Sequence, residues 1–339
     1  MVKRGALRIG LAGAGRIGAM HAHVLSRLDR DIELLVGDID AARAAVVASK
    51  VGARAMASVE ALYDAHLDAL VIAAATDAHA ELIALAVRRD LPVFCEKPVA
   101  FDVAGTLDVV AAVHATSVPV QIGFQRRFDP GYREARAAVV SGRLGWIHTL
   151  RSCTLDVAPP PPSYVASSGG LFRDCAVHDF DSIRWVTGRE VETVFAVGAN
   201  RGAPFFADLG DVDAAAATLR LDDDTIALVS CSRYNRAGYD VRLELLGEKG
   251  SMSVGLDDHS ALASAEPGAS FPSGGSHAAF PQRFAAAYEA ELRAFVTLVR
   301  EGGESECTPD DALQAFYVAE ACELSRRENR SVAVAEVVR

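Results

Sequence analysis

The chain has 339 residues, half of them hydrophobic and 23% charged, with a formal net charge of -11. That length exceeds one ordinary domain, so two are expected, and no apolar run reaches the roughly 18 residues that a membrane span needs. The acidic balance disfavours nucleic acid as a partner, so an anionic ligand must be held by local basic groups or helix dipoles. Cys95, Cys153, Cys175, Cys231, Cys307 and Cys322 are scattered and form no C-x-x-C pair, which argues against a zinc site and against a disulfide framework. The apolar stretch near the start reads as a strand rather than as an export signal, and the chain is read as cytoplasmic.

The first part alternates strand and helix. Strands are expected at Leu7 to Ala12, Ile32 to Asp38, Ala69 to Ala74, Pro92 to Cys95 and Val118 to Ile122. Helices are expected between them at Arg16 to Leu28, Ala41 to Val51, Ala78 to Arg89 and Val103 to Thr116. Such βαβ repetition implies a parallel sheet covered by helices on both faces. After about Gly123 the texture changes, with a helix from Pro130 to Ser141, a long strand from Trp146 to Leu155 and a proline run, Pro159 to Pro162, read as loop. A helix is then expected from about Gly169, because Val177, Phe180, Ile183 and Val186 recur every three residues and Gly188 supplies a stop. Extended segments follow at Val191 to Ala199, Ala214 to Leu221, Thr225 to Arg233 and Val241 to Leu246, as in an antiparallel sheet. Asp257 to Ala279 reads as a flexible loop. Two helices close the chain, one with Phe284, Tyr288, Leu292, Phe295 and Val299 on one face, the other from Asp310 to about Glu328. The two expected domains are residues 1–123 and 124–339.

Three motifs carry chemistry. Gly13-Ala14-Gly15-Arg16-Ile17-Gly18 follows the first strand and opens the first helix, where Gly13 allows a tight turn, Gly15 lets backbone approach a pyrophosphate, and Gly18 lets helix pack on strand. Asp38 ends the second strand, placed to accept hydrogen bonds from an adenosine ribose, and its charge would repel a 2'-phosphate, so NAD is favoured over NADP. Lys97, in Glu96-Lys97-Pro98, lies at the carboxyl edge of the parallel sheet, either as a surface residue or as a cation aimed into the crevice; Pro98 permits a cis bond before it. Asp174 and His178 stand one helical turn apart and share a face. They read either as a proton-exchange pair or as a helix N-cap aspartate beside a structural histidine. Metal ligation by His21 and His23 is disfavoured, since two residues apart on a helix they point to different faces. Arg126 reads as a surface partner for the acidic exterior.

Taken together these residues resemble the Gfo/Idh/MocA family of NAD(P)-dependent oxidoreductases, and within it are similar to the inositol dehydrogenases. The resemblance rests on G-A-G-R-I-G at Gly13, A-A-A-T-D-A-H at Ala73, E-K-P at Glu96, Q-I-G-F-Q-R-R-F-D-P at Gln121, G-G-L-F-R-D-C-A-V-H-D-F-D at Gly169, L-G-D-V-D at Leu209 and G-Y-D-V-R at Gly238. It implies an α/β fold: an N-terminal Rossmann dinucleotide-binding domain and a C-terminal α+β domain with an open, mainly antiparallel sheet that mediates dimers or tetramers. It implies Lys97, Asp174 and His178 as catalytic residues. Gly13, Gly15, Arg16, Ile17, Gly18, Asp38, Ala74, Thr76, His79, Glu96, Lys97 and Gln125 would meet the cofactor. Lys97, Arg127, Asp156, Asp174, Cys175, His178 and Tyr239 would face the substrate. The implied reaction is oxidation of a ring hydroxyl of a cyclic polyol, myo-inositol foremost, with His178 as base, Asp174 orienting it and Lys97 donating to the reacting oxygen. Two positions depart from the closest pattern: Leu155 stands where relatives carry arginine, and Ala237 where many carry tyrosine. A dehydrogenase of an aldose or deoxy sugar and a non-catalytic sugar sensor are the other readings, and retention of Lys97, Asp174 and His178 together speaks against the sensor.

Overall fold

The computed structural model describes residues 6–338; residues 1–5 and 339, the outer ends of the two expected domains, lie outside the described residues. The chain divides into two compact units, one running up to Gln125 and taking in Ala286–Leu313, the other comprising Arg126–Ala285 and the stretch from Gln314 onward.

In the first unit the elements run β1 (Leu7–Ala12), α1 (Arg16–Leu28), β2 (Ile32–Gly37), α2 (Ala41–Val51), β3 (Arg54–Ala55), α3 (Glu60–Tyr63), β4 (Ala69–Ile72), α4 (Thr76–Val87), β5 (Val93–Glu96), α5 (Val103–His114) and β6 (Val120–Gly123). The strands pair in parallel in the order β3-β2-β1-β4-β5-β6. That order reverses direction between β1 and β4, which opens a crevice at their carboxyl ends. Local sequence explains the ends of the elements. Asp40 caps α2 by accepting from the amides of Ala42 and Arg43 at 3.0 and 3.2 Å, and Gly52 closes it at φ 69°. The strands are buried on both faces, as helices on either side require: all four residues of β4 are buried.

The second unit contributes α6 (Pro130–Val140), β7 (Ile147–Leu155), α7 (Pro162–Ser168), a π-helical turn (Phe172–Ala176), α8 (Val177–Thr187), β8 (Val191–Ala199), α9 (Phe205–Asp208), β9 (Ala214–Leu221), β10 (Ile226–Ser232), β11 (Asp240–Gly247) and β12 (Ser251–Val254). Then come α10 (Phe280–Arg283), α11 (Ala285–Glu301), α12 (Pro309–Glu328) and β13 (Val332–Ala333). The sheet order is β12-β11-β7-β10-β9-β8-β13. β7 and β10 pair in parallel and the other described pairs are antiparallel. The parallel pair follows from connectivity, because the chain passes through α7, α8, β8 and β9 before returning beside β7. Along β9 and β10 buried and exposed residues alternate, so one sheet face is packed while the other shows Phe195, Val197, Ile226 and Leu228, each more than 40% exposed.

Two local expectations are corrected. Pro162 does not extend the loop but opens α7, since proline at a first helical position loses no hydrogen bond. The helix carrying Asp174 and His178 is not uniform: Asp174 lies in the π turn and His178 in the first turn of α8. The apolar stripe starts only at Val177, so periodicity held no signal for the wider turn before it.

α11 is distant in sequence from the first sheet yet belongs to that unit. Leu292, Phe295, Val296 and Leu298 join the core formed by Ile9, Leu11, Val36, Val71 and Phe94, with the rings of Phe94 and Phe295 at 5.9 Å. A division of the chain at one point therefore separates what packing unites. Phe295→Ala leaves a cavity in that core and is expected to cost about 3–5 kcal/mol, seen as a lowered denaturant midpoint with an unchanged slope.

Candidate functional site

In the first unit the expected cofactor residues gather on loops after the carboxyl ends of β1, β2, β4 and β5. Gly13 has φ 103°, and a side chain there would lie 2.5 Å from the backbone of Ala73 and Ala74. At Gly18 a Cβ would lie 2.0 Å from the Gly13 carbonyl oxygen. At Gly15 a Cβ would meet nothing within 4 Å, so two glycines close the turn and the third leaves open space at the amino end of α1. That is the form a pyrophosphate needs, and NAD fits it. Arg16 is exposed and Ile17 half-buried in the same helical turn. Asp38 accepts from the Ala14 amide at 2.6 Å and from the Asp40 amide at 2.8 Å, tying the glycine loop to the end of β2. Each carboxylate oxygen has two acceptor sites, so both retain capacity for a ribose diol.

Ala74 follows β4 and Thr76 begins α4. His79 was expected to meet the cofactor, but it is 1% exposed and its ring nitrogens lie 2.8 Å from the Pro98 carbonyl and 3.2 Å from that of Ala74. It braces two loops of the crevice against each other; a helical histidine looks the same in sequence whether it points in or out. Glu96 lies 2.7 Å from Nε2 of the fully buried His21. Behind them sits Glu291 of α11, fully buried, with neither carboxylate oxygen hydrogen-bonded among the described residues. Burial, and then the charge of Glu96, push Glu291 well above the carboxylate range, so it is held as a neutral acid. Lys97 follows β5, joined to Pro98 by a cis peptide bond, and Gln125 is buried at the end of the unit.

In the second unit the expected substrate residues converge around the π turn. Asp174 accepts from the Tyr164 hydroxyl at 2.8 Å and from Arg233 Nη2 at 2.7 Å. Arg233 Nη1 donates to Asp156 at 2.9 Å, so one guanidinium spans both carboxylates. Its side chain is 4% exposed. Burial works against its charge, but the coulombic pull of Asp174 and Asp156 outweighs this and raises its pKa. Tyr239, at the entry to β11, is 9% exposed, and burial raises its phenol well above the usual value, leaving it a hydrogen-bond donor rather than a base. Cys175 is buried, with its thiol 3.9 Å from the Thr154 carbonyl. His178, four residues after Asp174, is half-buried.

The two arginines after β6 behave alike. Arg127 was expected to face substrate; its side chain is 3% exposed and grips Asp181 with Nε at 3.0 Å and Nη2 at 2.6 Å, so its foremost commitment is to α8. Arg126 is not a surface residue. It is 1% exposed, donates to Asp179 at 3.0 Å and to the Thr154 hydroxyl at 2.7 Å, while Ser152 and Thr154 donate to the same carboxylate at 2.5 and 2.7 Å. Asp179, next to His178, is thereby fixed to β7. Sequence reasoning missed Arg233, Tyr164 and Asp179; their roles depend on partners 10 to 77 residues away along the chain. Among the described residues no group of three or more His, Cys, Asp or Glu side chains is placed to hold a metal, and no helix is long and apolar enough to cross a membrane.

Comparison with known proteins bears on both units. Residues 7–124 match the oxidoreductase family model with an NAD-binding Rossmann fold, and residues 132–253 match the GFO/IDH/MocA C-terminal domain. A myo-inositol dehydrogenase of Streptomyces leeuwenhoekii is 41% identical over 87% of this chain and 89% of its own length. The crystal structure of a myo-inositol dehydrogenase from Corynebacterium glutamicum superposes with a TM-score of 0.89 at 33% identity, covering 97% of this chain and 98% of that one. A scyllo-inositol dehydrogenase from Lactobacillus casei, with bound NAD(H) and scyllo-inositol, gives 0.86 at 29% identity, covering 97% and 99%.

Removing one partner of the Arg126–Asp179 pair strands the other as a buried charge. Asp179→Ala is expected to destabilise by about 3–5 kcal/mol in chemical denaturation, and Arg126→Met with Asp179→Leu to recover most of that loss.

Proposed function

From the chain's membership of the GFO/IDH/MocA family of NAD-binding oxidoreductases, to which it belongs in both halves, we propose that it oxidises a ring hydroxyl of a cyclic polyol, with myo-inositol as substrate. The observation that carries this reading is that Asp174, four residues before His178, shares one buried arginine with Asp156. Two carboxylates and a phenol suit a ligand rich in hydroxyl groups, since the carboxylates accept and Tyr239 donates. The names of the relatives point the same way.

When bound, NAD supplies the hydride acceptor. The chain supplies the rest. The glycine loop and Asp38 hold the dinucleotide, and Asp156, Asp174 and Tyr239 hold the polyol. His178 accepts the proton of the reacting hydroxyl, and the negative charge of Asp174 favours the imidazolium that results. Lys97 donates to the reacting oxygen as alkoxide charge develops. Asp38 favours NAD over NADP. A second reading, an aldose or deoxy sugar in place of inositol, draws on Leu155 and Ala237: an apolar residue precedes Asp156 and a small one lies near Tyr239, so a ring with fewer hydroxyls would leave fewer polar groups unpaired.

The exposed sheet face supports self-association into a dimer or tetramer. It carries a groove of about 550 Å³ lined by apolar Phe195, Val197 and Leu228 and by Arg151, Arg242 and Glu244, which supply both charge signs to one surface and so suit a self-complementary contact. Six free cysteines suit a reducing, cytoplasmic setting.

The purified protein, given NAD and a panel of inositols, aldoses and deoxy sugars, should form NADH fastest with myo-inositol; turnover of aldoses alone would establish the second reading. His178→Ala should lower kcat by about 10²–10⁴-fold while NADH affinity, read by fluorescence, stays as in the parent. Full turnover by that variant would remove His178 from the chemistry.

A further inference from the structure

The carboxylate after β2 has a cation beside it. Arg43, in the first turn of α2, places Nη1 3.6 Å from Oδ1 of Asp38 and Nη2 3.6 Å from Oδ2 of Asp40. Both separations exceed hydrogen-bond length, and the Arg43 side chain is 51% exposed, so its guanidinium is drawn to two carboxylates without being committed to either. Arg126, Arg127 and Arg233 differ, being buried and hydrogen-bonded to their carboxylates. The two aspartates of the first unit are held by backbone instead. Asp38, 4% exposed, accepts from the amides of Ala14 and Asp40, and Asp40 accepts from those of Ala42 and Arg43. The loop therefore keeps its form without the Arg43 side chain, and it opens to solvent at Ile39, which is 98% exposed.

We propose that Arg43 is a specificity-determining residue for the cofactor: it meets a phosphate on the adenosine ribose, so that the chain binds NADP as a second cofactor, more weakly than NAD. A 2'-phosphate brings about two negative charges towards Asp38, which repels them. Asp38, Asp40 and Arg43 together carry a net charge of minus one, however, where the carboxylates alone would carry minus two. A ligand oxygen that comes beside the Asp38 carboxylate also comes within reach of the guanidinium. Phosphate offers a fork-shaped donor shorter, charge-assisted hydrogen bonds than the two 3.6 Å contacts it leaves. Turning one half-exposed side chain is enough, since the backbone amides fix both carboxylates. An unphosphorylated ribose gives Arg43 no anion, and Asp38 accepts from its hydroxyl groups as before. Arg16 is exposed as well, but it opens α1 in the pyrophosphate turn, which both nucleotides would use alike.

The test is made by direct binding, without any polyol, so failure of the polyol reading and failure of this inference are told apart. NADH and NADPH are titrated by nucleotide fluorescence, and adenosine 2',5'-bisphosphate and adenosine 5'-phosphate by competition. Arg43→Ala is expected to weaken NADPH and the bisphosphate about 10-fold while NADH and the monophosphate stay within about twofold of the parent. Arg43→Lys keeps the charge without the fork and should fall between. Asp38→Asn removes the repulsion, so NADPH affinity should rise about 10-fold, and adding Arg43→Ala should cancel most of that gain. NADPH affinity should also fall more steeply with salt in the parent than in Arg43→Ala. If Asp38→Asn does not fold, the two Arg43 variants decide alone, because they replace an exposed side chain. Equal losses for NADH and NADPH in Arg43→Ala would assign Arg43 to the shared part of the nucleotide and overturn the proposal. So would a parent that binds no NADPH, or a selective loss of NADPH in Arg16→Ala and none in Arg43→Ala.

Discussion

The second unit depends on burying charge in pairs. Arg126 pairs with Asp179, Arg127 with Asp181, and Arg233 with Asp156 and Asp174, so three arginines from outside α8, their side chains 1–4% exposed, meet carboxylates of α8, of the turn before it and of the end of β7. Each ion loses hydration on folding, and only close pairing with further hydrogen bonds offsets that loss. Asp179 meets the requirement with donors from Arg126, Ser152 and Thr154. What such a network gives is less stability than definition. A helix packed only through Val177, Phe180 and Ile183 could slip or roll at little cost, whereas one whose first turn is pinned by Asp179 and Asp181 has one phase. His178 lies in the chain between the π turn and these pinned residues.

The first unit reaches a defined site by steric means. At Gly13 and Gly18 a side chain would collide with backbone, and at Gly15 it would occupy the space a phosphate takes. The proposed preference for an unphosphorylated ribose rests on the acidic residue after β2, Asp38. A carboxylic acid kept neutral by burial, Glu291, stands behind the ionisable Glu96 and His21 in the same unit. The two units thus use polar burial differently, one by neutralising a group and the other by pairing charges.

How much of this was legible in the sequence depended on whether the determinant was local. β1, α1, α2, β8 and β9 begin and end where apolar period and capping residues place them, because those signals act within a few residues. The turn built by Gly13, Gly18 and Asp38 was legible because its spacing is itself the constraint. Arg126 was misread, and Arg233 passed over, for one reason: an arginine just past a strand is usually solvated, and only its distant partners reveal otherwise. The short strands β3, β12 and β13 and the π turn escaped because two to five residues hold too little periodicity. His79 and Arg127 sit at motif positions, yet their side chains answer to the protein's own carbonyls and carboxylates.

Membership of an NAD-dependent oxidoreductase family, and the bridge that Arg233 makes between Asp174 and Asp156, support the proposed removal of hydride from a ring carbon. The most direct measurement follows the hydride itself. Incubating the protein with NAD and ring-deuterated myo-inositol, then analysing both products by mass spectrometry, should find deuterium in the reduced nicotinamide and a matching keto-inositol. Reduced cofactor without label, or no transfer from any cyclic polyol, would contradict the account.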